Sequence, residues 1–421
     1  MTGPRSPRRR ARLVAAALGA VIAAAPAAAS PVAAPAGTAP AAVPAVTAAP
    51  PAPALAITDV VAEQLVLRQG TGGTISWRYR TNAPARVGAY LHDARGILVR
   101  TLKQPADLAA GDQRLAWDGR DDDGRTAPPA YYLLAIEAEA AGGKVRWDPT
   151  ESTGGEVVQA TAVRFDAAAG AVRFALPKPA LARILLGLKE DGPMLRTLVD
   201  WVAFGAGEHQ AAWDGWDASR VIRFADSPKL DIMVWAHALP VNAVVVEPPL
   251  PRGGGTANPA SATTATSSSP PARLEFLTFA AGRPAQPRAG RRAHEMYNHW
   301  RHDRARCHNP EVALDVPAEV PREADGAVRA SAPVPVRLQM SEGESSFLQE
   351  ERFEAVIYVD GVFAFEEEQG YFPFTWTLNP EMLTPGPHVV TFMIRGYDGH
   401  FGSASLRVVR PRPQGPAPKS S

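Results

Sequence analysis

Cysteine is almost missing: the 421 residues contain one, Cys307. A disulfide within the monomer is thereby excluded, and each folded part must hold together through its apolar core. Cys307 is either a shielded thiol or an intermolecular one. An excess of one charge is missing too. Lys and Arg number 44 against 43 Asp and Glu, for a formal net charge of +1. Without the five arginines at positions 5, 8, 9, 10 and 12 that charge is −4. Such a balance excludes the basic footprint of a nucleic-acid binder. The nucleophile elbow, the phosphate-binding loop, H-E-x-x-H, the dinucleotide glycine motif and the kinase set are all lacking. His294-Glu295 is not followed by the second histidine of a zincin. The sequence therefore predicts a chain that is not an enzyme and needs no cofactor.

The N-terminus has a different character. Arg5, Arg8, Arg9, Arg10 and Arg12 precede an apolar stretch, 13–25, of only 13 residues. Ala27-Ala28-Ala29 offers a small-x-small cleavage site before Ser30. This pattern reads as a secretory signal peptide, 1–29, too short to span a membrane. The mature chain is expected in the periplasm, at the cell surface or outside the cell, with no transmembrane segment. Residues 30–56, dominated by Pro, Ala, Val and Thr and uncharged, read as a semi-rigid spacer.

A stretch then occurs twice. Residues 99–119 read VRTLKQPADLAAGDQRLAWDG, and residues 195–215 read LRTLVDWVAFGAGEHQAAWDG. Both follow R-T-L-x8-G-x5-W-D-G at an offset of 96 residues. Upstream of each, apolar residues alternate with others: Ile75, Trp77 and Tyr79 in one copy, Val172, Phe174 and Leu176 in the other. Period two predicts strands with one buried face. Trp117 and Trp213 are expected as core anchors. Asp118 and Asp214 are expected to close Asx-type turns, with Gly119 and Gly215 at positive φ. Return strands are expected at 131–140 and 231–237.

This pattern resembles the immunoglobulin-like domain of the flagellar hook-capping protein family. The first copy carries it through Asp93, Gly96, Val99, Arg100, Leu102, Gly111, Trp117, Asp118, Gly119, Asp121 and Gly124. The second carries it through Asp191, Gly192, Arg196, Leu198, Gly207, Trp213, Asp214 and Gly215. Beyond that the second copy reads WDASRVI and is expected to lose the D-x-x-G turn. The last third has a strong hairpin signal at Asp360-Gly361, then FTWTL, TPGP and two further strands. Its order of motifs resembles bacterial Ig-like modules of exported proteins.

The expected organisation is all-β, three immunoglobulin-like β-sandwiches joined by Pro/Ala/Ser-rich linkers. Domain 1 is placed at 57–140, a linker at 141–160, and domain 2 at 161–240. A flexible linker follows at 241–272, then a His/Arg-rich lead-in at 273–304, domain 3 at 305–410 and a disordered tail at 411–421.

Four of the nine histidines fall in one short stretch, beside the cysteine: His294, His299, His302, Cys307 and His308. Imidazole and thiolate suit zinc or copper, but H-x4-H-x2-H-x4-C-H matches no zinc module. The preferred reading is a segment that packs on domain 3 through Tyr297 and Trp300; a Zn or Cu site is the alternative. Asp118, Asp121, Asp122 and Asp123 break the EF-hand spacing and are read as turn residues, not calcium ligands. Trp216 and Trp235 are read as core, with a glycan platform as the alternative. The function these features imply is a non-catalytic surface or periplasmic binding, adhesion or scaffold module. Its expected partner is a protein or a cell-surface polysaccharide. A metal-binding protein and an accessory subunit of a surface enzyme complex are the alternatives.

Overall fold

A computed structural model of the chain describes residues 54–94, 96–141, 143–248, 309–396 and 399–412. All of them fall in one compact unit, Pro53–Ser421. They are all-β apart from one helix, and their apolar residues form three main cores.

The first sandwich contains β1 (Ile57–Ala62), β2 (Val66–Arg68), β3 (Ile75–Thr81), β4 (Ala85–Asp93), β5 (Leu98–Leu108), β6 (Gly111–Trp117), β7 (Ala130–Ala140) and β8 (Gly143–Trp147). The sheet β1-β3-β6 faces a larger one containing β7, β4 and β5, with β8 also paired to β7. The alternation in β3 turns Ile75, Trp77 and Tyr79 inward, against Tyr132, Leu134, Ile136 and Ala138 of β7. The expected linker 141–160 is thus partly structured. β8 pairs with β7, and a 3-10 turn at Pro149–Glu151 is capped by Asp148. Its polar composition reflects an exposed edge, where Arg146 bonds Glu137 at 2.7 Å.

The second sandwich contains β9 (Thr161–Asp166), β10 (Ala171–Leu176), β11 (Ala180–Leu188), β12 (Met194–Phe204), β13 (Gly207–Ala212) and β14 (Leu230–Ala238). The sheets β13-β10-β9 and β12-β11-β14 enclose Val172, Phe174, Leu176, Ile184, Phe204 and Trp213.

The next strand, β15 (Val244–Glu247), leaves this sandwich and enters the first. It runs parallel to β2 through Val245↔Val66 and antiparallel to β7 through Val244↔Tyr132. The expected flexible linker 241–272 therefore begins with a buried strand. Its side chains divide between two cores. Val244 and Val246 fill the first sandwich, while Val245 joins a separate cluster between the first and second. A continuous apolar run is what a strand covered on both faces requires.

The third sandwich contains β16 (Ala313–Asp315), β17 (Val328–Arg329), β18 (Val334–Gln339), α1 (Glu342–Glu351), β19 (Phe353–Val359), β20 (Val362–Glu367), β21 (Thr375–Leu378), β22 (Gly386–Gly396) and β23 (Phe401–Arg410). Its sheets are β16-β18-β21 and β17-β23-β22-β19-β20. Asp360 (φ 53°) and Gly361 (φ 78°) close the β19–β20 hairpin. Two positive φ values suit the twist of a two-residue hairpin loop. Helix α1 was not expected, although its signal is present. Ser341 and Glu344 form a reciprocal capping box, the S-x-x-E pattern of a helix start.

Candidate functional site

The repeated Trp-Asp-Gly turns come first. Trp117 and Trp213 are 1% and 3% exposed, so both are core anchors. Each indole Nε1 donates to a backbone carbonyl three residues on, Arg120 at 2.7 Å and Trp216 at 2.9 Å. Asp118 and Asp214 each accept the backbone N–H two residues on. The second Trp-Asp-Gly stretch keeps the later turn as well, contrary to expectation. Asp217 is 1% exposed and accepts from Val221 N and Ile222 N, as buried Asp121 accepts from Asp123 N and Arg125 N. The Asp carboxylate, rather than the terminal Gly, organises this turn.

These hydrogen bonds also explain the acidic run. Asp121 binds Arg125 Nε through its second oxygen at 3.0 Å, and Asp122 accepts from Thr101 N and Oγ1. Among the described residues no three His, Cys, Asp or Glu side chains converge as metal ligands would. His294, His299, His302, Cys307 and His308 lie outside the described residues, as do Tyr297 and Trp300.

The assembly with most chemical content lies where the sandwiches meet. Between the first and second, Tyr131, Leu133, Leu181, Ala203, Leu239, Ala243 and Val245 form their own buried cluster. Asn242 locks its rim: its Oδ1 accepts from Ala62 N at 2.9 Å and its Nδ2 donates to Val60 O at 2.7 Å. Glu247, on the returning strand, pairs with Arg68 at 2.5 Å.

Between the second and third, Arg183 is the centre. Its side chain is 3% exposed. It donates through Nη1 to Gly399 O and through Nη2 to Asn309 Oδ1, and its Nε lies 3.4 Å from Asp200 Oδ1. The guanidinium carbon sits 5.7 Å from the Trp201 ring centroid, 5.9 Å from that of Trp235 and 5.5 Å from that of Phe401. Asn309 completes the clamp. Its N–H donates to Asp200 Oδ2 at 2.8 Å, its Oδ1 also accepts from Phe401 N at 2.8 Å, and its Nδ2 donates to Thr197 Oγ1. Burial pulls the guanidinium pKa down and Asp200 pulls it back up, with a net fall. Arginine titrates so high that the charge persists. What this cage does is hold a charge, with a planar fork matched to two acceptors and aromatic faces around it.

A β-bulge puts these groups in place. In β11–β12, Ala182 pairs with Val202 but Ile184 with Val199, so Asp200 and Trp201 together oppose Arg183. Trp201 takes φ 52° to do so. The first sandwich has the same irregularity, with Gly88 opposed by Gln104 and Pro105. One backbone feature thus carries a small residue in one sandwich and a charged, aromatic clamp in the other. Bulges commonly re-aim a side chain in this way. Trp201 also packs on the cluster between the first and second sandwiches, so one indole touches both joints. Trp235, read from sequence as core, is 40% exposed and meets Phe401 edge-on at 6.1 Å. Trp216 is half-buried.

A second contact reinforces the outer joint. Met194 packs on Val356, Tyr358 and Met393, and Ser405 N donates to Ser219 Oγ at 2.9 Å. No helix among the described residues is long and apolar enough to cross a membrane.

Comparison with known proteins bears on the first sandwich. The family model of the FlgD Ig-like domain matches residues 62–142. No curated protein matches the chain. Solved structures with some likeness include FlgD from P. aeruginosa, at 18% identity and a TM-score of 0.18, over 30% of this chain and 83% of that one. A bacterial ice-binding adhesin gives 10% identity and a TM-score of 0.17, over 85% of this chain and 98% of that one. The alpha-2-macroglobulin of E. coli gives 12% identity and a TM-score of 0.19, over 83% of this chain and 24% of that one. Likenesses this slight do not extend to function. The described part of this chain is an all-β assembly whose residues 62–142 are similar to the FlgD Ig-like domain.

Proposed function

We propose that the protein is an exported, non-catalytic scaffold that holds three Ig-like sandwiches as one stiff body. In this reading the second sandwich is another copy of the FlgD-like module and the third a separate Ig-like module. Residues 1–29 direct export. The observation that carries the reading is the continuity of the joints. Trp201, partly buried, packs against the buried cluster between the first two sandwiches and belongs to the cage that grips the third. Joints with buried apolar cores and a desolvated ion pair resist the relative motion that is the default between domains. A surface scaffold needs that stiffness to present a binding face at a fixed distance.

The test combines location with contact. Intact-mass analysis of the native protein should show a chain beginning near Ser30 in the envelope or extracellular fraction. Photo-crosslinkers placed on each sandwich in living cells should then yield envelope adducts. A chain that keeps residues 1–29 in the cytoplasmic fraction, or one that forms no adducts, would sink the proposal.

A further inference from the structure

The large sheet of the third sandwich ends at β20, whose outer edge pairs with no other strand among the described residues. An open edge offers a row of backbone donors and acceptors to any extended chain. Proteins commonly blunt such edges with charged side chains, Pro or bulges. β20 reads VFAFEE: a bulge at Ala364 and the two glutamates guard its far end, while its first four residues carry neither a charge nor a Pro. It shows large apolar side chains instead: Val362 is 69% exposed, Phe363 54% and Phe365 37%, with Tyr371 beyond its end at 49%.

Three acids follow in a row, Glu366, Glu367 and Glu368. Among the described residues, ion pairs of the third sandwich include Arg329–Glu323, Arg395–Glu354, Arg407–Asp325 and His388–Asp360. None of these involves the three glutamates. The edge thus combines an apolar half with a negative half.

The hairpin that carries the edge is held from below. Asp360 accepts from Val389 N at 2.9 Å, and its other oxygen lies 2.7 Å from His388 Nδ1. Gly361 sits close over the second sandwich, where a Cβ would come within 3.2 Å of Leu188. Phe363 meets Tyr358 edge-on at 6.4 Å. An edge ordered in advance saves a partner part of the entropy cost of binding.

We propose that β20 is a strand-addition site for an extended, basic and apolar segment of another protein. The main chain would supply hydrogen bonds, Val362, Phe363 and Phe365 the apolar contacts, and Glu366, Glu367 and Glu368 the charge selection. The proposal deepens the scaffold reading by naming a partner class, and rests on it only for biological use.

Its test uses the full mature chain and a fluorescent peptide of alternating Arg, Val and Thr, followed by anisotropy. A matched peptide carries N-methyl groups on alternate backbone nitrogens. Saturable binding is expected for the first peptide, weakened by salt and absent for the second. Phe363→Lys should weaken it about tenfold or more, and Glu366→Lys with Glu367→Lys should do so independently. Phe363 is exposed, so a matching thermal melt separates lost binding from lost folding. No saturable binding, equal binding of both peptides, or binding unchanged by Phe363→Lys would overturn the proposal. Wild-type dimerisation in sedimentation that Phe363→Lys abolishes, without peptide binding, would also overturn it and assign the edge to a second copy. Envelope adducts from the other two sandwiches would survive any of these results, so the two readings fail separately.

Discussion

Arg220 holds in the second sandwich the backbone position that Gly124 holds in the first. Their φ angles are 56° and 79°, and each donates its N–H to the carbonyl of the buried aspartate three residues before, Asp217 or Asp121. A left-handed conformation costs an L-residue about 1–2 kcal/mol. Glycine gives back about 0.5–1 kcal/mol of that through its freer unfolded chain. The exposed bond from Arg220 to Asp214 adds little, because Asp214 keeps Arg196. Arg220→Gly is therefore expected to stabilise the protein by about 0.5 kcal/mol, and Gly124→Arg to destabilise it by about 1 kcal/mol. Urea unfolding of both variants checks this; a clear loss of stability in Arg220→Gly would contradict it.

That pair shows what the sequence makes legible. Trp117 and Trp213 could be read as anchors because each is large, repeated and followed by turn residues. The turn after Trp213 is hidden in the sequence because the D-x-x-G pattern is recognised by its glycine, whereas Asp217 does the holding. Arg183 was invisible for a different reason. Its main partner, Asn309, is 126 residues away, and the bulge that aims it leaves no gap in the repeat. The four residues of β15 were read as linker because prolines flank them at 240 and 248; only the run of three valines betrayed a buried strand. The exposure of Phe363 and Phe365 depends on which strand ends the sheet, a property of topology that alternation alone does not encode.

The Arg183 cage makes a prediction about motion. Arg183→Met leaves Gly399 O and Asn309 Oδ1 without their common donor and Asp200 without its counter-charge. Breaking a buried ion pair costs about 3–5 kcal/mol, and the 18% exposure of Asp200 places this case at or below the lower end. The loss falls on the joint rather than on either core. Spin labels at Glu208 and Glu381, with Cys307→Ser, should give a narrow distance distribution in the parent and a broad one in the variant. Arg183→Lys should not restore it, since a point donor cannot span both acceptors as the planar fork does. A narrow distribution in Arg183→Met would show that Met194 and Ser219 alone hold the joint.

His388 predicts a dependence on pH. Burial lowers its pKa, but the hydrogen bonds to the Asp360 carboxylate and to Thr384 O raise it more, so the net shift is upward from 6.5. A raised folded pKa means the stabilisation is fully present below 6.5 and is lost as pH climbs through the folded value. His209 and His237 have the opposite sign. Burial lowers both, so they favour the fold at higher pH and weaken it as pH falls below 6.5. The isolating measurement is the difference between wild type and His388→Gln. That difference should be largest at pH 5.5–6.5 and shrink on the alkaline side. A difference that grows with pH would refute the assigned sign.

The returning strand bears on how the first two sandwiches fold. β15 reaches its partners only after the second sandwich has been traversed, and it seats Val244 and Val246 in one core and Val245 in the next. The first sandwich therefore lacks part of its larger sheet until 244–247 arrive, and the joint cluster cannot close without Val245. Val245→Asp places an unpaired carboxylate at a position with no solvent exposure, and such a group costs several kcal/mol unless it is protonated. Both sandwiches should lose stability together, although the substitution lies in neither main core. Amides of β3 and β4 report on the first and those of β10 and β11 on the second, so hydrogen exchange followed through urea unfolding resolves the two. The expected result is one shared transition in the parent and an earlier or split transition in Val245→Asp. Residues 54–148 alone should melt well below residues 54–248. If the short fragment proves as stable as the same sandwich in the longer chain, β15 is an ornament on a finished fold, and the coupling argued from its three valines does not exist.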